Sequence, residues 1–292
     1  MQRRLRRAVR SRLSGAAHRL ADLMAERVTE RMYAEQRAEN ERLRNEVSVL
    51  RELTEQRLDK LQVDLVAEHE RQVDRAIDRV GQFEWRSRHD MVFAGDREAA
   101  SESSRFTYEH FTGRPHFTRP WETLQYGLSL APQGGLALEF GVATGNTLRQ
   151  IAERRGDGRV YGFDSFQGLP EAWLPGIGAG SFASEQLPEV AGAELVVGWF
   201  ADTVPEFLAA HPEPVDFVHI DSDIYSAAVT VLDHVGPRLR PGSVLVFDEF
   251  LNYPGWQQHE YRAWCEFVER TGVAFRYEAY TYQDRQVVVR LC

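Results

Sequence analysis

Cysteine is nearly absent from this 292-residue chain, which holds only Cys265 and Cys292. With no CxxC and no histidine at ligand spacing, a disulfide framework and a thiolate zinc site are not expected. A reducing, cytoplasmic setting is the natural reading. Long apolar runs are missing too. Nothing approaches the ~20 residues that cross a bilayer, and the opening MQRRLRRAVRSRL lacks the apolar core of a secretory signal, so export is not expected. Lysine is reduced to Lys60. Within the net charge of −9, residues 1–90 carry 20 basic against 17 acidic side chains, leaving 15 against 27 for residues 91–292. So acidic a stretch excludes a general nucleic-acid binder, because phosphate contacts need clustered Arg or Lys.

Residues 1–82 have no proline and only Gly15 and Gly81, and they are dense in Arg, Glu, Gln, Leu and Ala. These are strong helix formers. Leu5, Val9, Leu13, Ala16, Leu20 and Leu23 step at threes and fours, as do Leu43, Val47, Leu50, then Leu58, Leu61, Leu65, then Val73, Ile77, Val80. The pattern predicts a helical, coiled-coil arm over 1–82. It is interrupted because Thr54 and Arg57 fall where a heptad counted from Leu43 wants apolar side chains. Such a helix would reach about 120 Å. A stripe this long predicts a homo-oligomer assembled through residues 1–82. The seven arginines and no acids of the first 19 residues also suit contact with an anionic membrane surface, the less favoured reading.

Aromatics and Gly, Pro and Ser arrive between 83 and 119, read as a linker or lid region, and the domain proper is expected over 120–292. There, strands at 136–142, 160–163, 194–199, 215–220 and 243–247 alternate with helices. The last two strands, 275–282 and 286–291, are too close for a crossover and read as an antiparallel hairpin. The expected fold is α/β: a Rossmann-like, doubly wound seven-stranded sheet with a terminal antiparallel hairpin, preceded by the long arm.

The first of these strands runs into Glu139-Phe-Gly141-Val-Ala-Thr144-Gly145. Glycines there let the backbone turn tightly and a ligand come close, but the pattern is not GxGxxG, which counts against a dinucleotide. Asp164 ends the next strand, where a carboxylate can accept bonds from ribose hydroxyls.

The run ExGxxxG, the acid after the next strand and the closing hairpin resemble class I S-adenosylmethionine-dependent methyltransferases. FDSFQGLPE (163–171), GWFADTVP (198–205), HIDSDIYS (219–226) and FDEF (247–250) are similar, more narrowly, to the metal-dependent sugar O-methyltransferases of the macrocin O-methyltransferase type. The similarity covers residues 120–292. It implies that Glu139, Gly141, Thr144 and Gly145 surround the methionine part of S-adenosylmethionine. Asp164, Ser165 and Phe166 take the ribose and adenine side, and Gly198, Trp199 and Phe200 line the adenine pocket.

Asp221 and Asp223 follow the fourth strand and Asp248 and Glu249 the fifth, so four acids converge above neighbouring strand ends. Such a gathering is costly without a cation. A hard divalent ion with oxygen ligands, Mg²⁺ above all, resolves it. The resemblance assigns Asp221, Asp248 and Glu249 as metal ligands and Asp223 as the general base. Glu249 stands where relatives commonly carry a second Asp. His259 is either a second catalytic base or the cap of the helix it begins. The expected activity is O-methylation of a sugar hydroxyl in a glycoside or polysaccharide. The alternatives are a non-sugar small-molecule acceptor, or a non-catalytic cofactor-binding scaffold assembled through the arm.

Overall fold

The computed structural model describes residues 2–156 and 158–292, and side chains at residue 10 and from residue 12 onward except 157. Leu5 and Val9 of the apolar stripe, with Arg3, Arg4, Arg6 and Arg7, thus lie outside the described side chains. The chain divides into two compact units, one ending at Glu84 and one over Trp85–Cys292.

The first unit is helix throughout its described residues. Without proline to interrupt it, α1 (Gln2–His89) runs through Gly15 and Gly81, each of which costs only about 1 kcal/mol in a helix. Its described side chains face solvent almost without exception. Arg31–Glu35 at 2.9 Å and Arg42–Glu46 at 3.6 Å are typical of its i,i+4 ion pairs, worth a few tenths of a kcal/mol each. No described helix is long and apolar enough to cross a membrane.

The segment 83–119 holds the end of α1, then α2 (Met91–His110) and a short strand β1 (His116–Phe117). Asp90 starts α2 by accepting the N–H groups of Val92 and Phe93. Pro120 opens α3 (Pro120–Leu130), with Glu122 reaching back to the Arg119 N–H at 3.0 Å. The α/β alternation follows: β2 (Leu136–Phe140), α4 (Asn146–Arg155), β3 (Val160–Asp164), β4 (Glu194–Val197), α5 (Phe200–Ala210), β5 (Val215–Ile220), α6 (Tyr225–Val235), β6 (Leu239–Phe247), α7 (Glu260–Thr271), β7 (Phe275–Thr281) and β8 (Val287–Leu291).

The sheet has eight strands, in the order β1-β7-β8-β6-β5-β2-β3-β4, not the expected seven. The additional strand, β1, pairs parallel with Tyr280 and Thr281, and two residues are too few to show a period in sequence. Only β8 runs against its neighbours, pairing antiparallel with both β6 and β7.

Alternation along the strands divides the core into two layers. Leu138, Phe140, Phe163, Ile220 and Phe247 face α5, α6 and α7 through Phe207, Val231 and Trp264. Ala137, Val160, Phe217 and Val246 face α3 and α4 through Leu128, Leu148 and Ile151. Each fully buried side chain of this size stabilises the fold by about 1.5–3 kcal/mol.

One buried charge anchors the end of the sheet opposite the crevice. Asp216 accepts the Gly135 N–H at 2.6 Å and Arg240 Nη2 at 2.6 Å, with Arg155 Nη2 at 3.6 Å. Removing one partner of a buried pair strands the other. Asp216→Ala is therefore expected to lower stability by about 3–5 kcal/mol, read as a fall in the urea midpoint of the full chain. An unchanged midpoint would mean that the arginines find other acceptors.

Candidate active site

Register brings the chemistry-bearing residues to one level. Phe140 lies opposite both Phe163 and Ile220, and Ile220 opposite Phe247. The residues that follow, Gly141, Asp164, Asp221 and Asp248, therefore emerge side by side at the carboxyl ends of parallel strands, where open α/β sheets bind ligands. The backbone ladder continues past the strands: Gly141 N–H donates to Phe163 O at 2.9 Å, Asp221 N–H to Phe140 O at 2.8 Å and Asp248 N–H to Ile220 O at 2.8 Å. Gly141 has φ +94°, and a Cβ there would land on the carbonyl oxygen of Asp221. Only glycine allows β2 and β5 to stay this close while the chain turns.

A cavity of about 500 Å³ opens above these ends. At one side it is lined by Gly141, Asp164, Ser165, Gly198, Trp199 and Phe200, and at the other by Asp221, Asp223 and Glu249. The glycine loop is fastened by Asp164, whose Oδ2 accepts the Val142 and Ala143 N–H groups at 2.9 Å each, while Oδ1 accepts that of Phe166 at 2.7 Å. The remaining residues expected around the cofactor are not among those lining the cavity: Thr144 and Gly145 lead into α4, Phe166 packs into the α3/α4 layer, and Glu139 is fully buried beneath the loop. A cofactor of adenosine size fits the free space, and the aromatic and glycine lining suits a flat, largely apolar ring.

The acidic side is two overlapping groups. Ligand atoms of Asp221, Asp223 and Glu249 lie within 4.8 Å of one another, as do those of His219, Asp221 and Asp248. Asp221 belongs to both; Asp248 and Glu249 fall into different ones. Burial, then the charge of Asp248, pushes the Asp221 and Glu249 carboxyls well above the usual carboxylate range. Asp223 is pushed up to about 6 by burial and by Asp248, and Arg285 opposes this. Glu249 Oε2 is buried with no hydrogen-bond partner, and its Oε1 is 3.9 Å from Arg285 Nη1. Crowded carboxylates with an orphaned oxygen fit a hard divalent cation, and Asp221 with Glu249 offers it oxygen ligands inside the cavity.

Several residues that sequence reasoning passed over hold this arrangement. His219 stands opposite Glu139 in the β2/β5 register. Its Nδ1 is 2.9 Å from Glu139 Oε1 and its Nε2 3.7 Å from Asp248 Oδ1. Burial alone would lower its pKa; the Asp248 and Glu139 carboxylates outweigh that and hold it well above the ordinary value. Gln286 Nε2 donates to Asp248 Oδ1 at 3.1 Å. Glu260, the first residue of α7, accepts the Ser222 N–H at 3.4 Å and the Glu249 N–H at 3.0 Å, tying the two acid-bearing loops together. The signal for His219 was present in HIDSD, since a residue two before Asp221 in a strand shares its face. Glu260, Gln286 and Arg285 carry no such signal.

His259 is the residue before α7, but its side chain makes no capping bond. Its Nδ1 is buried without a partner, its ring lies 6.5 Å from Trp173 and 5.9 Å from Tyr253, and burial lowers its pKa. It is not among the residues lining the cavity.

Residues 138–250 match the profile of a methyltransferase domain family. Among curated proteins, the chain is 25% identical to 8-demethyl-8-(2,3-dimethoxy-alpha-L-rhamnosyl)-tetracenomycin-C 4'-O-methyltransferase of Streptomyces olivaceus, over 56% of this chain and 76% of that protein. It is 39% identical to mycinamicin III 3''-O-methyltransferase of Micromonospora griseorubida, over 22% of this chain and 25% of that one. Among solved structures, the calicheamicin methyltransferase CalS11 aligns with a TM-score of 0.47 at 24% identity, covering 58% of this chain and 76% of its own. The methyltransferase domain begins inside β2 and ends just past the acids after β6, and with O-methyltransferases as its curated relatives the chain is an S-adenosylmethionine-dependent O-methyltransferase.

Proposed function

We propose that this enzyme methylates a hydroxyl of a sugar, in a glycoside or polysaccharide, with a divalent cation, Mg²⁺ in the first place, held by its acidic cluster. The observation that carries the reading is the placement of Asp221, Asp223 and Glu249 in the same cavity as the glycine loop and Asp164. A curated relative named as the 4'-O-methyltransferase of a rhamnosyl-bearing tetracenomycin supports the sugar acceptor.

When bound, S-adenosylmethionine supplies an electrophilic methyl group and the divalent ion supplies positive charge beside the acceptor hydroxyl. The chain's residues do the rest. Gly141 and Ser165, with Gly198, Trp199 and Phe200, give the cofactor its bed, and Asp164 keeps the loop in shape by holding its N–H groups. Asp221 and Glu249, with Asp248 behind Asp221, hold the cation. Asp223 accepts the proton of the acceptor hydroxyl, since its carboxylate lines the cavity beside Asp221 and Glu249. It is preferred to His259 because it lines the cavity and His259 does not. Trp173, Leu174, Ile177 and Phe182, from the long loop between β3 and β4, wall the cavity and exclude water.

The scaffold alternative has less support, since a protein that only bound cofactor would gain nothing from so many crowded carboxylates. Asp223→Asn is expected to lower kcat by about 10²–10⁴-fold, the range for a lost general base, with the calorimetric affinity for S-adenosylmethionine unchanged. Asp221→Ala and Glu249→Ala should weaken the binding of Mn²⁺, followed by its paramagnetic signal. Chelation should abolish methyl transfer to a panel of glycosides, and added Mg²⁺ restore it. Full turnover by Asp223→Asn would remove it as the base, and activity indifferent to chelator would remove the cation.

A further inference from the structure

We propose that a second copy of this chain packs antiparallel along one face of α1, on a seam from Val47 to Val80 that repeats every eleven residues. A heptad counted from Leu43 fails at Thr54 and Arg57, yet α1 passes through both positions as one unbroken helix. Counted in elevens, the same residues fall into register. Val47, Leu58, His69 and Val80 form one row, Leu50, Leu61 and Gln72 a second, and Thr54, Leu65 and Ala76 a third. Three turns per eleven residues is close to the natural period of a straight helix, so the rows stay on one side instead of spiralling away. The seam takes in Leu58 where the heptad took Arg57.

Its apolar members are uncovered by their own chain. Val47 is 51% exposed, Leu50 61%, Leu58 60%, Leu61 58%, Leu65 72% and Val80 67%. A row of this kind needs a partner of equal length and period, and a second α1 has both. The face measures roughly 50 Å by 10 Å, which over two chains reaches about 1,000 Å², the threshold of a specific interface.

Orientation follows from the side chains. Reversed on itself, the seam sets Val47 against Val80, Leu50 against Ala76, Leu61 against Leu65, Leu58 against His69, and the polar Thr54 against Gln72. Along one edge Glu46 then meets Arg79 and Arg57 meets Glu68, each twice by symmetry, so opposite charges face each other. Glu46 and Glu68 already attract Arg42, Arg71 and Arg75 of their own helix, at 3.6, 2.9 and 2.9 Å, and an added cation extends that network. A parallel pair would instead stack His69 on His69, and set Glu46 against Glu46 and Arg57 against Arg57.

The full chain should sediment as a dimer at micromolar concentration. Leu50→Arg with Leu61→Arg, on the seam, should reduce it to one copy. Val49→Arg with Val63→Arg, equally exposed but on the other side of the helix, should leave the dimer intact, with S-adenosylmethionine affinity unchanged in both as proof of folding. In a chain whose two cysteines are serine, Glu46→Cys together with Arg79→Cys should close a disulfide between copies, and Glu46→Cys alone should not. A single-copy parent chain, dissociation by both arginine pairs, or a disulfide through Cys at 46 alone would overturn the proposal.

Discussion

Like charges held together at two adjacent strand ends are the constraint on which this protein depends. The sheet sets β5 beside β6, and the residues after each are acidic, so Asp221, Asp223, Asp248 and Glu249 are drawn into one volume. Folding must keep them there against their mutual repulsion. The two ends of the sheet answer this demand in different ways. At the end opposite the crevice a lone carboxylate, Asp216, is matched by two arginines and a backbone N–H. At the crevice the carboxylates outnumber the cations in reach, His219 and Arg285, so the site keeps a surplus of negative charge and of acceptor oxygens. The first arrangement is complete in itself; the second leaves negative charge unmatched.

The row Glu139–His219–Asp248 crosses the sheet beneath the crevice, from the strand that feeds the glycine loop to the strand that feeds the acids, with its first two members buried. Its members sit on β2, on β5 and just past β6, three neighbours in the sheet. Register alone places the first two opposite each other. Glu260 does from behind what this row does from below, since its carboxylate receives one N–H from each acid-bearing loop. The start of a helix is a favourable place for that carboxylate. Loops so tied lose little further freedom when a ligand arrives, which is how a rigid scaffold prepares a reactive geometry.

The two units are stabilised by different physics. Trp85–Cys292 buries two apolar layers on either side of a sheet and draws its stability from area removed from water. The arm buries almost nothing within itself. It is helical because proline is absent and its residues favour helix, with surface ion pairs adding little. Its apolar side chains are left exposed.

Much of this was legible along the chain. Strand and helix alternate with a period that appears in the residues themselves, the closing hairpin follows from a connection too short for a crossover, and the acids follow strands whose order the alternation implies. The long arm was legible because nothing in residues 1–82 breaks a helix. What sequence could not supply depends on contacts between distant residues. A two-residue strand such as β1 exists only because β7 is there to pair with it. The division of the acids into two overlapping groups depends on side-chain directions at the ends of two strands. His219, Glu260, Gln286 and Arg285 matter because tertiary packing carries them to Asp248, Glu249 and Ser222 from as far as 38 residues away. Local sequence thus determined the elements and the residue types of the site. Tertiary structure decided which of those residues meet, because hydrogen bonds and repulsions act over ångströms in space, whatever the separation along the chain.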